Sequence, residues 1–152
     1  MDSIKIKGII EIEQLRNGEV IAKRKIKNVI TNAGKAEVAN LVGSVSGESP
    51  FTYLGVGIGT TAAAAADTAL ESEIVDSGLE RAAATVTRQT TTVANDTLQL
   101  VKSWSSTGAK AVTECGALNA ASVGILLGRQ VFSAINVVSG DAIQVTYKFI
   151  FA

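Results

Sequence analysis

The stretch Phe51–Gly59, FTYLGVGIG, allows few conformations. Thr52, Leu54, Val56 and Ile58 alternate with Tyr53, Gly55, Gly57 and Gly59. Successive side chains of a strand face opposite sides, so this reads as a strand with one apolar face and one nearly bare face. A bare face admits another backbone, or a neighbouring subunit, at close range. The following residues, Thr60–Asp67, have no apolar period and cannot form a long core element. Asp67 is a favoured N-cap, and Glu71 and Glu73 suit a first turn, so a short helix is expected from Asp67. On this reading a rigid strand delivers a small-residue loop to one place.

The chain before this stretch opens with Ile4, Ile6, Ile10 and Ile12 at even positions, against Lys5, Lys7, Glu11 and Glu13 at odd ones. That is a half-buried strand. Asn17-Gly18 is the strongest short-range hairpin signal, and Val20–Lys27 is expected to return with Val20, Ala22 and Ile26 inward. Lys23, Lys25 and Lys27 then share the opposite, solvated face. Thr31 or Asn32 can cap a short helix with Val38, Leu41 and Val42 on one stripe, ended by Gly43. Gly43–Pro50 reads as a loop.

After a break at Ser77-Gly78, Arg81–Val93 is dense in Thr and Val and favours a strand. Asn95-Asp96 turns the chain into a strand whose apolar face carries Leu98, Leu100 and Trp104. Lys110–Leu118 and Ile125–Ile135 are further strands. Ser139-Gly140-Asp141 then leads into the clearest one, with Ile143, Val145, Tyr147, Phe149 and Phe151 on one face. Short strands with turns between them and little helix predict a mainly β fold. The expected form is an antiparallel sandwich or jelly-roll-like barrel with one or two short helices. A length of 152 residues suits a single domain, 1–152, from which the 1–27 hairpin could stand off as an arm.

Catalytic chemistry finds little support in the residues. The chain contains no histidine and one cysteine, so a zinc site and a serine triad are excluded. Cys115 lies among small apolar residues and reads as a buried structural thiol. Gly55-x-Gly57-x-Gly59 lacks the spacing and the helix of a nucleotide loop. Glu71, Glu73, Asp76 and Glu80 cluster in a polar connection, where solvated or capping roles are favoured over acid–base work. No catalytic residue, metal or cofactor is assigned. Lys plus Arg and Asp plus Glu are 14 each, which argues against binding nucleic acid by phosphate neutralisation. No apolar run is long enough to cross a bilayer. Charged residues make up only 18 %, a poverty that suits a surface partly covered in an assembly. Trp104, beside Ser105-Ser106, reads as a core or interface residue, with a sugar-binding platform as the alternative.

Several segments, taken in order, resemble small structural proteins of tailed bacteriophages. They are Asn28-Val29-Ile30-Thr31-Asn32-Ala33-Gly34; Tyr53–Thr61 with the Ala-rich residues and Asp67-Thr68-Ala69-Leu70; Glu114–Asn119; and Leu127–Phe132 before Ser139–Tyr147. The sequence departs from the commoner pattern in having no proline in Ala62–Ala66 and in placing Lys148 where an apolar residue or Thr is usual. The resemblance implies a virion component, either a capsid decoration (cement) protein or a tail, baseplate or fibre component with a receptor or glycan contact. For a decoration protein it implies the outer capsid surface as location, the major capsid protein as partner and a homo-oligomer, expected to be a trimer. Gly55, Gly57, Gly59, Thr60, Thr61, Asp67 and Trp104 are the expected oligomer or capsid contacts, together with the first hairpin.

Overall fold

A computed structural model describes residues 2–47 and 49–152. The Asn-Gly turn forms as expected. Asn17 and Gly18 both take positive φ, 52° and 78°, as a two-residue turn between twisted strands demands. They join β1 (Ile6–Arg16) to β2 (Glu19–Lys27). Ile10 and Ile12 are fully buried, whereas Ile4 precedes the strand and is exposed. Val20 is also exposed, contrary to the expected parity. The pairing slips between Gln14 and Leu15, which shifts the start of β2 relative to its partner.

β3 (Val29–Ile30) leads into α1 (Asn32–Gly43). Thr31 caps the helix by accepting from the Gly34 amide at 2.8 Å. Gly34, unfavourable in a helix by up to about 1 kcal/mol, is required here. A Cβ at that position would stand 2.7 Å from the Leu127 backbone. The left-handed residue that ends the helix is Ser44, φ 50°, not Gly43. Val38 and Leu41 pack on the core, but Val42 points to solvent.

β4 (Tyr53–Gly57) is shorter than expected, and Ile58 beyond it is half exposed. The helix expected from Asp67 does not form, and residues 67–76 run as irregular chain. Its edge closes on β4 instead: the Ile58 amide donates to Ser72 O and the Ile74 amide to Val56 O. The Thr-rich segment splits into β5 (Ala82–Ala83) and β6 (Thr85–Gln89), which join different sheets. β7 (Thr97–Ser105), β8 (Lys110–Leu118), β9 (Leu126–Val137) and β10 (Ala142–Phe151) complete the chain.

Among the described residues the strands form two antiparallel five-stranded sheets, ordered β2-β1-β10-β7-β6 and β3-β9-β8-β4-β5. The sheets do not close into a barrel, so the fold is the sandwich of the two expected forms. The hairpin is built into the first sheet. β1 pairs with β10 from Ile6↔Phe151 to Leu15↔Ala142. Inward residues of both sheets make one core. Ile12, Leu100, Trp104, Val145, Tyr147 and Phe149 come from the first sheet; Leu54, Val56, Val112, Cys115, Leu127 and Ile135 come from the second. The Tyr147 and Phe149 rings stack at 4.5 Å. Each large side chain so buried stabilises the fold by roughly 1.5–3 kcal/mol relative to exposure.

Candidate functional site

The outer face of the second sheet is nearly bare where β4 meets β8. Gly55 lies directly opposite Gly116, Gly57 opposite Glu114, and Gly116 opposite Arg129 on β9. The space left by the glycines is filled by this chain's own connection, residues 58–80. A Cβ on Gly55 would stand 3.1 Å from one Leu70 methyl, and on Gly116 2.8 Å from the other. A Cβ on Gly57 would meet Ser72 O at 2.5 Å.

Glu114 and Arg129 fix the connection in place. The Glu114 carboxylate is fully buried and accepts from the amides of Gly59 (3.1 Å), Ser72 (2.7 Å) and Glu71 (3.1 Å). Arg129 Nε donates to the same carboxylate at 2.8 Å. The remaining guanidinium donors reach Asp67 Oδ2 (2.8 Å), Thr61 O (3.1 Å) and Glu71 Oε2 (3.3 Å). A buried ion pair is tolerated only when its other lone pairs and protons are also satisfied, and here they are. Burial alone pulls the Arg129 guanidinium pKa down, and Glu114 and Asp67 more than reverse that pull. Thr61 in turn gives its amide and hydroxyl to Glu71, at 2.8 and 2.7 Å. The Thr61 hydroxyl, then its amide and Arg129, hold the Glu71 carboxyl below its usual range.

The product is a clamped loop. Thr60, Thr61, Ala62, Ala64, Ala65 and Ala66 are exposed, while the backbone beneath them is tied down. The Ala64 amide donates to Asp67 Oδ2 at 2.9 Å, and the Asn32 amide at the start of α1 donates to Ala65 O at 2.8 Å. Asp67 is therefore a loop staple, not a helix cap.

The expected contact residues divide accordingly. Thr60 and Thr61 are at the surface, Asp67 is half-buried beneath them, and Gly55, Gly57 and Gly59 are buried. Trp104 does not belong to the site. It is 4 % exposed, and its indole N–H donates to Glu80 O at 2.8 Å, so no ring face is free for a sugar.

The clustered carboxylates each have their own partner. Glu73 forms a two-pronged pair with Arg81, both contacts 2.6 Å, and Asp76 meets Lys110 at 2.6 Å. Glu114 and Arg129 were not singled out from the sequence. The available signal was a charge of each sign in the interior of two strands, Glu114 before Cys115-Gly116-Ala117 and Arg129 after Leu126-Leu127-Gly128.

Comparison with protein-family models, with curated proteins and with solved structures found no match.

Proposed function

We propose that this chain is a virion structural protein, a capsid decoration protein that binds the outer capsid surface as a homo-oligomer, with a trimer as the expected form. The observation that carries the reading is the clamped loop. Seven residues with small side chains, Thr60–Ala66, of which all but Ala63 are exposed, lie over a buried Arg129–Glu114 pair. Small side chains lose little rotamer freedom on contact, and a backbone already fixed loses little more. Such a ridge is suited to close contact with another protein surface. It would seat against a capsid-subunit seam, repeated at each copy of a symmetric oligomer. Specific interfaces of standard size bury about 1,600 Å² in total. Binding to the assembled shell and not to dissociated subunits stabilises the shell by mass action.

The second reading is a tail, baseplate or fibre component, without the glycan platform. That platform was to be Trp104, which lies in the core.

The test is to add purified protein to capsids that lack it. Saturable binding and a raised capsid melting temperature are expected. Ala64→Arg, on the exposed loop, should abolish both while leaving the protein's own unfolding unchanged. No binding by the wild-type chain would refute the proposal.

A further inference from the structure

The outer face of the first sheet carries two kinds of lysine. Lys23 and Lys25 on β2 lie opposite Glu13 and Glu11 on β1 and bridge to them at 3.3 and 3.5 Å. One residue pair further along, the pattern changes. Ile9 lies opposite Lys27 on β2 and opposite Lys148 on β10, and Lys7 follows two residues earlier on the same face. Among the described residues, Lys7, Lys27 and Lys148 form no ion pair. With strands about 4.8 Å apart, the three Cα atoms fall within roughly 10 Å of one another. Lys7 and Lys27 border one shallow concavity with Ile9 and Ile150. The nearest acid on this face, Glu11, is already engaged by Lys25.

Like charges gathered across a sheet oppose its folding slightly, and among the described residues no acid compensates them. We propose that this corner, Lys7, Lys27 and Lys148 around Ile9, is a docking surface for an acidic face of a partner protein. The argument is charge complementarity: carboxylates on the partner supply what Glu11 and Glu13 supply to the neighbouring lysines. Nucleic acid fits the corner less well. No aromatic side chain shares this face for base stacking, since Tyr147 and Phe149 turn into the core, and the chain as a whole is neutral. The inference deepens the capsid-binding reading and rests on it for the partner's identity, which would be the acidic part of the capsid exterior.

The test uses the full chain and a triple variant, Lys7→Gln/Lys27→Gln/Lys148→Gln, first on immobilised poly-L-glutamate and then on bare capsids. The wild type should be retained on polyglutamate at low salt and released by high salt. The variant should bind roughly tenfold more weakly, the sum of three exposed charge contacts. Duplex DNA should be retained less well than polyglutamate. Equal retention of variant and wild type on polyglutamate, or stronger retention of DNA, overturns the inference. On capsids the variant should bind more weakly and with a shallower salt dependence. Capsid binding that is the same for both proteins overturns the inference and leaves the decoration reading standing. Lysine-dependent binding to polyglutamate with no capsid binding supports an acidic partner and removes the decoration reading. Thermal unfolding of the variant, expected at the wild-type temperature or slightly above it because the like charges are gone, separates lost contact from lost fold.

Discussion

Arg129 and Glu114 stand on adjacent strands of the second sheet, and the guanidinium Nε meets the carboxylate at 2.8 Å with both side chains closed to water. This pair holds the loop Thr60–Ala66, which has no large apolar side chain of its own to bury. Removing one partner leaves a buried charge without its counterpart, at a cost of about 3–5 kcal/mol. Glu114→Ala should lower the unfolding free energy by that amount in urea titration. The double variant Glu114→Ala/Arg129→Ala should lose less than the sum of the two single variants. Strict additivity would show that the two side chains do not act as a unit.

The glycines beneath the loop make a second prediction. Gly116→Ala places a Cβ 2.8 Å from a Leu70 methyl and 2.9 Å from a Leu126 methyl. Overpacking of this kind costs about 1–3 kcal/mol. Adding Leu70→Ala should recover part of the loss on the Leu70 side. Thermal melts of the three variants check it, and no recovery would mean that Leu126 sets the limit.

Acid should unfold the protein through a few carboxylates. The Arg16 guanidinium, then the Val138 amide, hold the Asp141 carboxyl well below its usual range, and the Val93, Thr91 and Thr92 amides do the same for Asp96. A lowered folded-state pKa adds stability that is complete above the unfolded carboxylate value, near 4, and is lost as pH falls below it. The melting temperature should therefore be level above about pH 5 and drop steadily below about pH 4. Asp141→Asn should melt lower at neutral pH yet lose less on acidification. A parallel acid limb for the variant would dismiss Asp141 as a contributor.

Trp104 offers an optical check. Its indole is enclosed and hydrogen-bonded to Glu80 O. Fluorescence should be blue-shifted relative to the unfolded chain and resist iodide quenching. Trp104→Phe should cost about 1 kcal/mol for the hydrogen bond, plus a packing loss. Strong quenching in the native protein would put the ring at the surface.

Periodicity made most of the sandwich legible. The Asn17-Gly18 turn, the Lys110–Leu118 strand and the alternation from Ile143 to Phe151 all follow from local chemistry that tertiary contacts did not override. Asp67 misled because the same carboxylate that caps a helix can also staple a loop. Its Oδ2 accepts from the Ala64 amide and from Arg129, a residue 62 positions away. The bare face of β4 was correctly expected to admit close packing, but the sequence does not say which backbone arrives. It is the segment around Leu70 and Ser72. Glu114 was hidden for the same reason, since three of its four hydrogen bonds go to backbone amides that carry no sequence signature. The exposure of Ile4 ahead of β1 and the register slip that turns Val20 outward also lie beyond what parity alone resolves.

The role proposed for the clamped loop is to seat against another protein in an assembled particle. The most direct measurement is an electron cryo-microscopy map of that particle with this chain located in it. Density for the sandwich is expected on the outside of the shell, with Thr60–Ala66 packed against a neighbouring protein chain. A map in which the chain is absent from the shell, or is bound with that loop facing open solvent, would contradict it.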